Sequence, residues 1–192
     1  MAIPREFLSH LAAEMAKRLE QSGKIKFPDK AAAAARVQQV FQDDAAREDQ
    51  LNQEVREYLA KYNEQMRRDS ISYQEMYQMV KRELMKKHKM IHAGGRDRDG
   101  GKLSHDKIIE LSHALVKNLA TLPQTEFVQE KNDVRLEIVG EMQALLREEA
   151  AVDRAARQKI VSQKKEITEG SGEWDILFRK YYSEEMRKLG VS

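Results

Sequence analysis

Hydrophobic residues recur along this chain at spacings of three and four, and the recurrence is written twice. In the first half, Leu8, Leu11, Met15 and Leu19 predict a helix over about 4–21, with Pro4 in its first turn and Gly23 as its stop. A second stripe runs through Val37, Phe41, Leu51, Leu59 and Met66. Asp29 follows Pro28 as an N-cap, and neither Gly nor Pro intervenes before Arg68, so the spacing predicts one helix of ~60 Å. Tyr73, Met76, Tyr77, Val80 and Leu84 mark the buried face of a third helix, which opens after Ser72 in a capping-box pattern with Glu75 and extends to about Met90.

The same pattern returns at an offset of about 100 residues. Ile3, Leu8, Leu11, Leu19 and Phe27 answer Leu103, Ile108, Leu111, Leu119 and Phe127, and helices are predicted near 104–120, 131–168 and 173–189. Ser104 is the expected N-cap of the first of these, Pro123 breaks the chain after it, and the run 169–172 separates the last two. Gly140 falls inside the second long helix at a cost of ~1 kcal/mol relative to Ala, which predicts a close helix contact or a slight kink there. The domain layout is a first repeat over 1–92, a Gly-rich linker over 93–102 and a second repeat over 103–192.

A compact globule of this length has a radius of gyration of ~16 Å and does not enclose a helix of ~60 Å, so an elongated molecule is expected. The long stripes pair Val37 with Ile138, Phe41 with Met142, Leu51 with Val152 and Leu59 with Ile160. A one-residue slip between Val55 and Leu59 argues against a regular coiled coil. The fold class is therefore all-α: a tandem duplication of a short-long-short helix unit, pseudo-twofold, with a Y or V outline. Its shared core is expected at the N-terminal halves of the long helices with the first helices, because Val37, Val40 and Phe41 face the comparably aliphatic Val134, Ile138, Val139 and Met142.

Composition narrows the function. Charged residues are 34% of the 192 and aromatic residues 6%, a profile of long solvated helices, and the net charge of +2 does not by itself announce a nucleic-acid protein. There is no Cys, which excludes disulfides and thiolate metal chemistry. No run approaches the ~18 apolar residues of a membrane span and the N-terminus has no apolar signal region, so the chain reads as cytoplasmic, without a membrane partner.

Candidate chemistry is sparse. Glu48 and Glu149 fall on the apolar stripes at the middle of each long helix, where a first helix should begin. A carboxylate facing the open N–H groups of a helix is stabilised by ~0.3–1 kcal/mol, so both are read as structural helix-junction acids. Asp44 lies nearby, and a metal or proton site of Asp44, Glu48 and Glu149 is the competing reading, weakened by the lack of a His at ligand spacing. His88 and His92 share a helix face but sit among Lys86, Lys87 and Lys89, which disfavours a cation. Asp106, Glu110 and His113 contain one E-x-x-H motif where a di-iron bundle needs two. Asp97, Asp99 and Gly100 in the joint have too few acids for a calcium loop. No P-loop, nucleophile elbow or dinucleotide fingerprint is present, so no enzyme, metal or cofactor is expected.

The remaining signals are surface features. Basic residues crowd from Lys81 to Lys102, while Asp43, Asp44, Glu48, Asp49, Glu54 and Glu57 gather acid in the first long helix. A candidate anion or partner surface collects Lys81, Arg82, Lys86, Lys87 and Lys89 with Arg179, Lys180 and Tyr182 of the last helix. Basic residues in a last helical turn also complement the helix dipole. Trp174, Phe178, Tyr181 and Tyr182 read first as core, although Ile176, Leu177 and Met186 widen that arc enough for part of it to face a partner.

The terminal segment from Glu169 through Trp174, Phe178, Tyr181, Tyr182 and Met186 to Gly190, with the duplicated helix pattern, resembles the bacterial domain of unknown function 507 family over essentially the whole chain. That resemblance implies a bacterial cytoplasmic protein and supplies no catalytic or binding residues. The expected function is a non-enzymatic protein-interaction or scaffold module, with a protein partner. The alternative is an RNA- or ribosome-associated protein using 81–102. Oligomeric state is left open.

Overall fold

Capping residues and side-chain stops divide the chain into seven α-helices and one antiparallel strand pair among the residues described by this computed structural model, 5–91, 102–163 and 167–190. The fold is all-α. Helix α1 (Arg5–Gln21) ends where Gly23 takes φ 70°, a backbone state glycine adopts without strain. Pro4, its expected first-turn residue, lies outside the described residues, as does most of the linker. After β1 (Ile25–Lys26), Asp29 opens α2 (Lys30–Ala60) by accepting a hydrogen bond from Ala32 N at 2.9 Å. A short α3 (Asn63–Arg68) and α4 (Tyr73–Lys87) complete the first half. The second half carries α5 (His105–Leu119), β2 (Glu126–Phe127), α6 (Lys131–Val161) and α7 (Gly172–Lys188). Ser104 and Ser171 cap α5 and α7 through their hydroxyls, which accept from Lys107 N and Trp174 N at 3.2 Å. Ser72 has extended cap geometry but makes no side-chain cap bond, so the capping box expected there does not form.

Both long helices are shorter than their stripes predict: each has 31 residues, ~46 Å at the usual rise. At the end of α2, Lys61 N and Tyr62 N bond back three residues to Tyr58 O and Leu59 O, tightening the last turn. The chain restarts as α3, and Met66 joins Val55, Leu59 and Val80 in one small cluster. At the end of α6, Ser162 Oγ and Gln163 Nε2 both donate to Lys159 O, at 2.9 and 3.2 Å, so side chains satisfy a terminal carbonyl in place of another helical turn. Neither stop involves Gly or Pro.

Helix α1 packs on both α2 and α6, and α5 packs on both α6 and α2. One core therefore spans the two halves, with Met15, Val37 and Phe41 in the same buried cluster as Leu115, Ile138 and Met142. This is the expected location of the shared core. The connections leading into the long helices also meet: Ile25 pairs with Phe127 and Lys26 with Glu126 as two-residue strands, too short to leave a periodic signal. Helix α4 lies on the C-terminal half of α2, where the small cluster forms, and α7 lies on α6, where Tyr182 and Met186 join the main core.

Two expectations about packing are corrected. Tyr73 is 51% exposed and does not belong to the buried face of α4. A Cβ on Gly140 would meet nothing within 4 Å, and α6 continues through this position, so no neighbouring backbone needs the space. Among the described residues no helix is long and apolar enough to cross a membrane.

Candidate functional site

Charged residues enter the interior where α5 meets the middles of α2 and α6. Glu149 on α6 is fully buried, and its Oε1 accepts from Lys102 Nζ and from Tyr182 OH, the latter at 2.9 Å, while Oε2 has no hydrogen-bond partner among the described residues. Lys102 precedes α5, its side chain is almost buried, and its ammonium lies 3.6 Å from Asp153 and 5.8 Å from the centre of the Tyr182 ring. The chain of charges continues outward along α6. Asp153 pairs with Arg157 at 2.6 Å, and Arg157 reaches Glu169 at 2.5 Å and lies over the stacked rings of Trp174 and Phe178.

On α2 the arrangement is wetter. Glu48 accepts from Lys81 Nζ at 3.3 Å, and one turn on, Asn52 Oδ1 accepts from Tyr77 OH at 3.0 Å, so α4 is tied to α2 by polar contacts beside its small apolar cluster. Asp44 accepts from Lys107 Nζ at 2.5 Å, and that ammonium also donates to Glu110 at 2.7 Å. Burial alone would lower the Lys107 pKa, but the hydrogen bonds to Asp44 and Glu110 and the charges of both outweigh it and raise the group above its ordinary value. Asp44, Glu48, Lys81 and Lys107 line one cavity no larger than a water molecule. Further ties cross between the halves: Arg18 on α1 binds Glu141 at 3.2 Å and Glu148 at 2.9 Å on α6, and Lys24 binds Glu137 at 2.6 Å.

This geometry revises the sequence reading of the acids. Glu149 lies close to the start of α5, as its stripe position suggests, but it binds an ammonium and a phenol, while Ser104 caps the helix. Glu48 binds Lys81, and the residues preceding α1 lie outside the described ones. Asp44, Glu48 and Glu149 do not converge on one point. Each has its own lysine, and among the described residues no group of three potential ligands could hold a metal.

The candidate surface also divides. Tyr182 is 2% exposed and bound to Glu149, so it is not a surface residue. Lys102, counted within the basic stretch, is in the interior, and Lys81 is committed to Glu48. Arg82, Lys86, Lys87 and Lys89 remain exposed on and just after α4, and Arg179 and Lys180 on α7. His88 bonds Glu54 at 2.8 Å, whereas His92, Arg96 and Arg98 lie outside the described residues. Glu110, from the lone E-x-x-H motif, is a partner of Lys107.

Sequence reasoning missed Lys102 and Lys107. Lys107 had a signal: it stands on the same apolar arc as Leu103, Ile108 and Leu111, as Asp44 stands on that of Phe41 and Leu51, and opposite charges on two buried faces suggest a pair. Lys102 had none, since its burial follows from the docking of α5 on α6.

The fold and this junction define an all-α protein whose two halves are joined through a charge-lined helix core. The chain belongs to the family described as Protein of unknown function (DUF507), whose model matches residues 1–191. No curated protein matches it.

Proposed function

We propose that this chain is a non-enzymatic protein-interaction or scaffold module of the bacterial cytoplasm, an elongated tandem duplication whose end regions meet partners. The observation that carries this reading is the exposed aromatic end of the α2–α4 pair. Tyr58 and Tyr62 are 45% and 41% exposed with ring centres 5.0 Å apart, and Ile71, Tyr73 and Met79 are exposed on the segment that follows. Tyr and Met side chains are the residue types that protein interfaces enrich, since they supply large contact area. The interior charges, in contrast, are engaged with one another. Support for the duplicated, elongated form comes from the helix–strand–long helix succession in each half and from the two helices of 31 residues.

The test is affinity capture from the native organism with and without nuclease, using the wild type and a Tyr58→Ala, Tyr62→Ala, Tyr73→Ala variant. A protein partner that survives nuclease and is lost with the variant is the expected outcome. Release of all captured material by nuclease would overturn the reading.

The exposed basic side chains of α4 favour a second reading, an RNA- or ribosome-associated protein. On that reading binding to RNA weakens steeply with salt, and charge reversal at Lys86, Lys87 and Lys89 flattens the dependence.

A further inference from the structure

We infer that a groove along α4 is a docking site for an acidic amphipathic protein segment, an inference that rests on the protein-interaction role proposed above and names a second surface for it. Arg82, Met85, Lys86 and Lys89 follow one another at helical spacing, on a face adjoining the buried Val80 and the half-buried Leu84. Lys89 takes φ 52°, which turns the chain back so that Met90 N bonds Met85 O at 2.9 Å and the side chains of Met85 and Met90 line the same groove. Its floor is thus two half-buried thioethers. Its outer rim is the exposed Arg82, Lys86 and Lys89, with Lys81 on the inner wall held by Glu48.

A methionine floor adapts to apolar side chains of varied shape, as in grooves that take amphipathic helices. A basic rim selects an acidic partner through charge complementarity and disfavours a basic one. Single-stranded nucleic acid would use the same charges but draws much of its affinity from bases stacked on rings, and among the described residues no aromatic side chain lines this groove. Among the described residues Lys86 is bonded only within its own helix turn, to Glu83 at 2.8 Å, so a partner carboxylate can replace an exposed contact of small worth.

The test is fluorescence anisotropy on the full chain with three probes: a labelled helical peptide of Leu, Glu and Ala with leucines on one face, an isomer of the same composition without that stripe, and oligouridylate. The striped peptide should bind at least about tenfold more tightly than its isomer. Met85→Glu with Met90→Glu, and separately Arg82→Glu with Lys89→Glu, should each remove that preference. Met85→Gln retains helix propensity and side-chain size, so it should weaken the peptide while leaving the thermal melt unchanged. Equal binding of both peptides, or oligouridylate binding that displaces the peptide and is indifferent to the methionine changes, would overturn the inference. So would concentration-dependent self-association that only the groove variants abolish, which would make the occupant a second copy. A failure here with tyrosine-dependent capture intact removes the groove alone, whereas loss of both removes the interaction role.

Discussion

Glu48 and Glu149 each accept a hydrogen bond from the residue 33 positions further on, Lys81 for the first and Tyr182 for the second. The same contact between a long helix and the helix that folds back on it is therefore made with different chemistry. Where the partner is lysine, the pair stands partly in water. Where it is tyrosine, the cation comes from Lys102 and the carboxylate is fully buried. Glu149→Gln leaves a nearly buried ammonium with less compensation and should cost ~2–3 kcal/mol, whereas Glu48→Gln at the partly exposed pair should cost under ~1 kcal/mol. Urea unfolding of the two variants checks this, and equal losses would contradict the difference in burial.

Gly140 offers the opposite kind of test. Its surroundings are open, it is exposed, and it sits within a regular helix, so Gly140→Ala should stabilise the chain by ~0.5–1 kcal/mol through helix propensity and a less flexible unfolded state. A lower melting temperature for this variant would show that the position is constrained in a way its surroundings do not reveal.

The contrast between these residues shows what the sequence could reveal. Helix starts were legible because caps act locally: Asp29, Ser104 and Ser171 each bond a backbone N–H three residues on. Helix ends at Ala60 and Val161 were not, because their stops are a tightened turn and two side chains that bond Lys159 O, with no Gly or Pro to mark them. The shared core followed from matching stripes such as Val37 and Ile138. The polar junction was half legible, since an acid on an apolar face signals a buried partner but does not say which one. A lysine beside Leu103 and a tyrosine on α7 become that partner only when α5 and α7 dock on α6. The surface reading of Tyr182 failed for the same reason.

The two ends of the molecule should differ in local stability. The α2–α4 cluster has four buried residues, Val55, Leu59, Met66 and Val80, separate from the main core, while α7 shares that core through Tyr182 and Met186. Amide hydrogen exchange should find α3 and α4 opening at lower free energy than α1, α5 and the N-terminal halves of α2 and α6. Uniform protection across all helices would contradict the separation.

Lys107 predicts an alkaline dependence. Its pKa is raised on folding, so the stability it contributes is present in full below its ordinary value of 10.5 and is lost as pH rises through the higher folded value. The gap in melting temperature between wild type and Lys107→Met should hold through neutral pH and narrow above 10.5. A gap that does not change in alkaline solution would mean that the lysine acts through its packing alone.

The central claim is that the charged junction holds the two halves together and that recognition belongs to the surface. The most direct test is a double-mutant cycle on Lys107 and Asp44, read by chemical unfolding alongside partner capture. Lys107→Met and Asp44→Leu should each cost ~2–4 kcal/mol by stranding a charge, and the double variant should return to within ~1 kcal/mol of wild type, with capture unchanged throughout. Single variants as stable as wild type that lose the captured partner would contradict the account and make the junction the functional site.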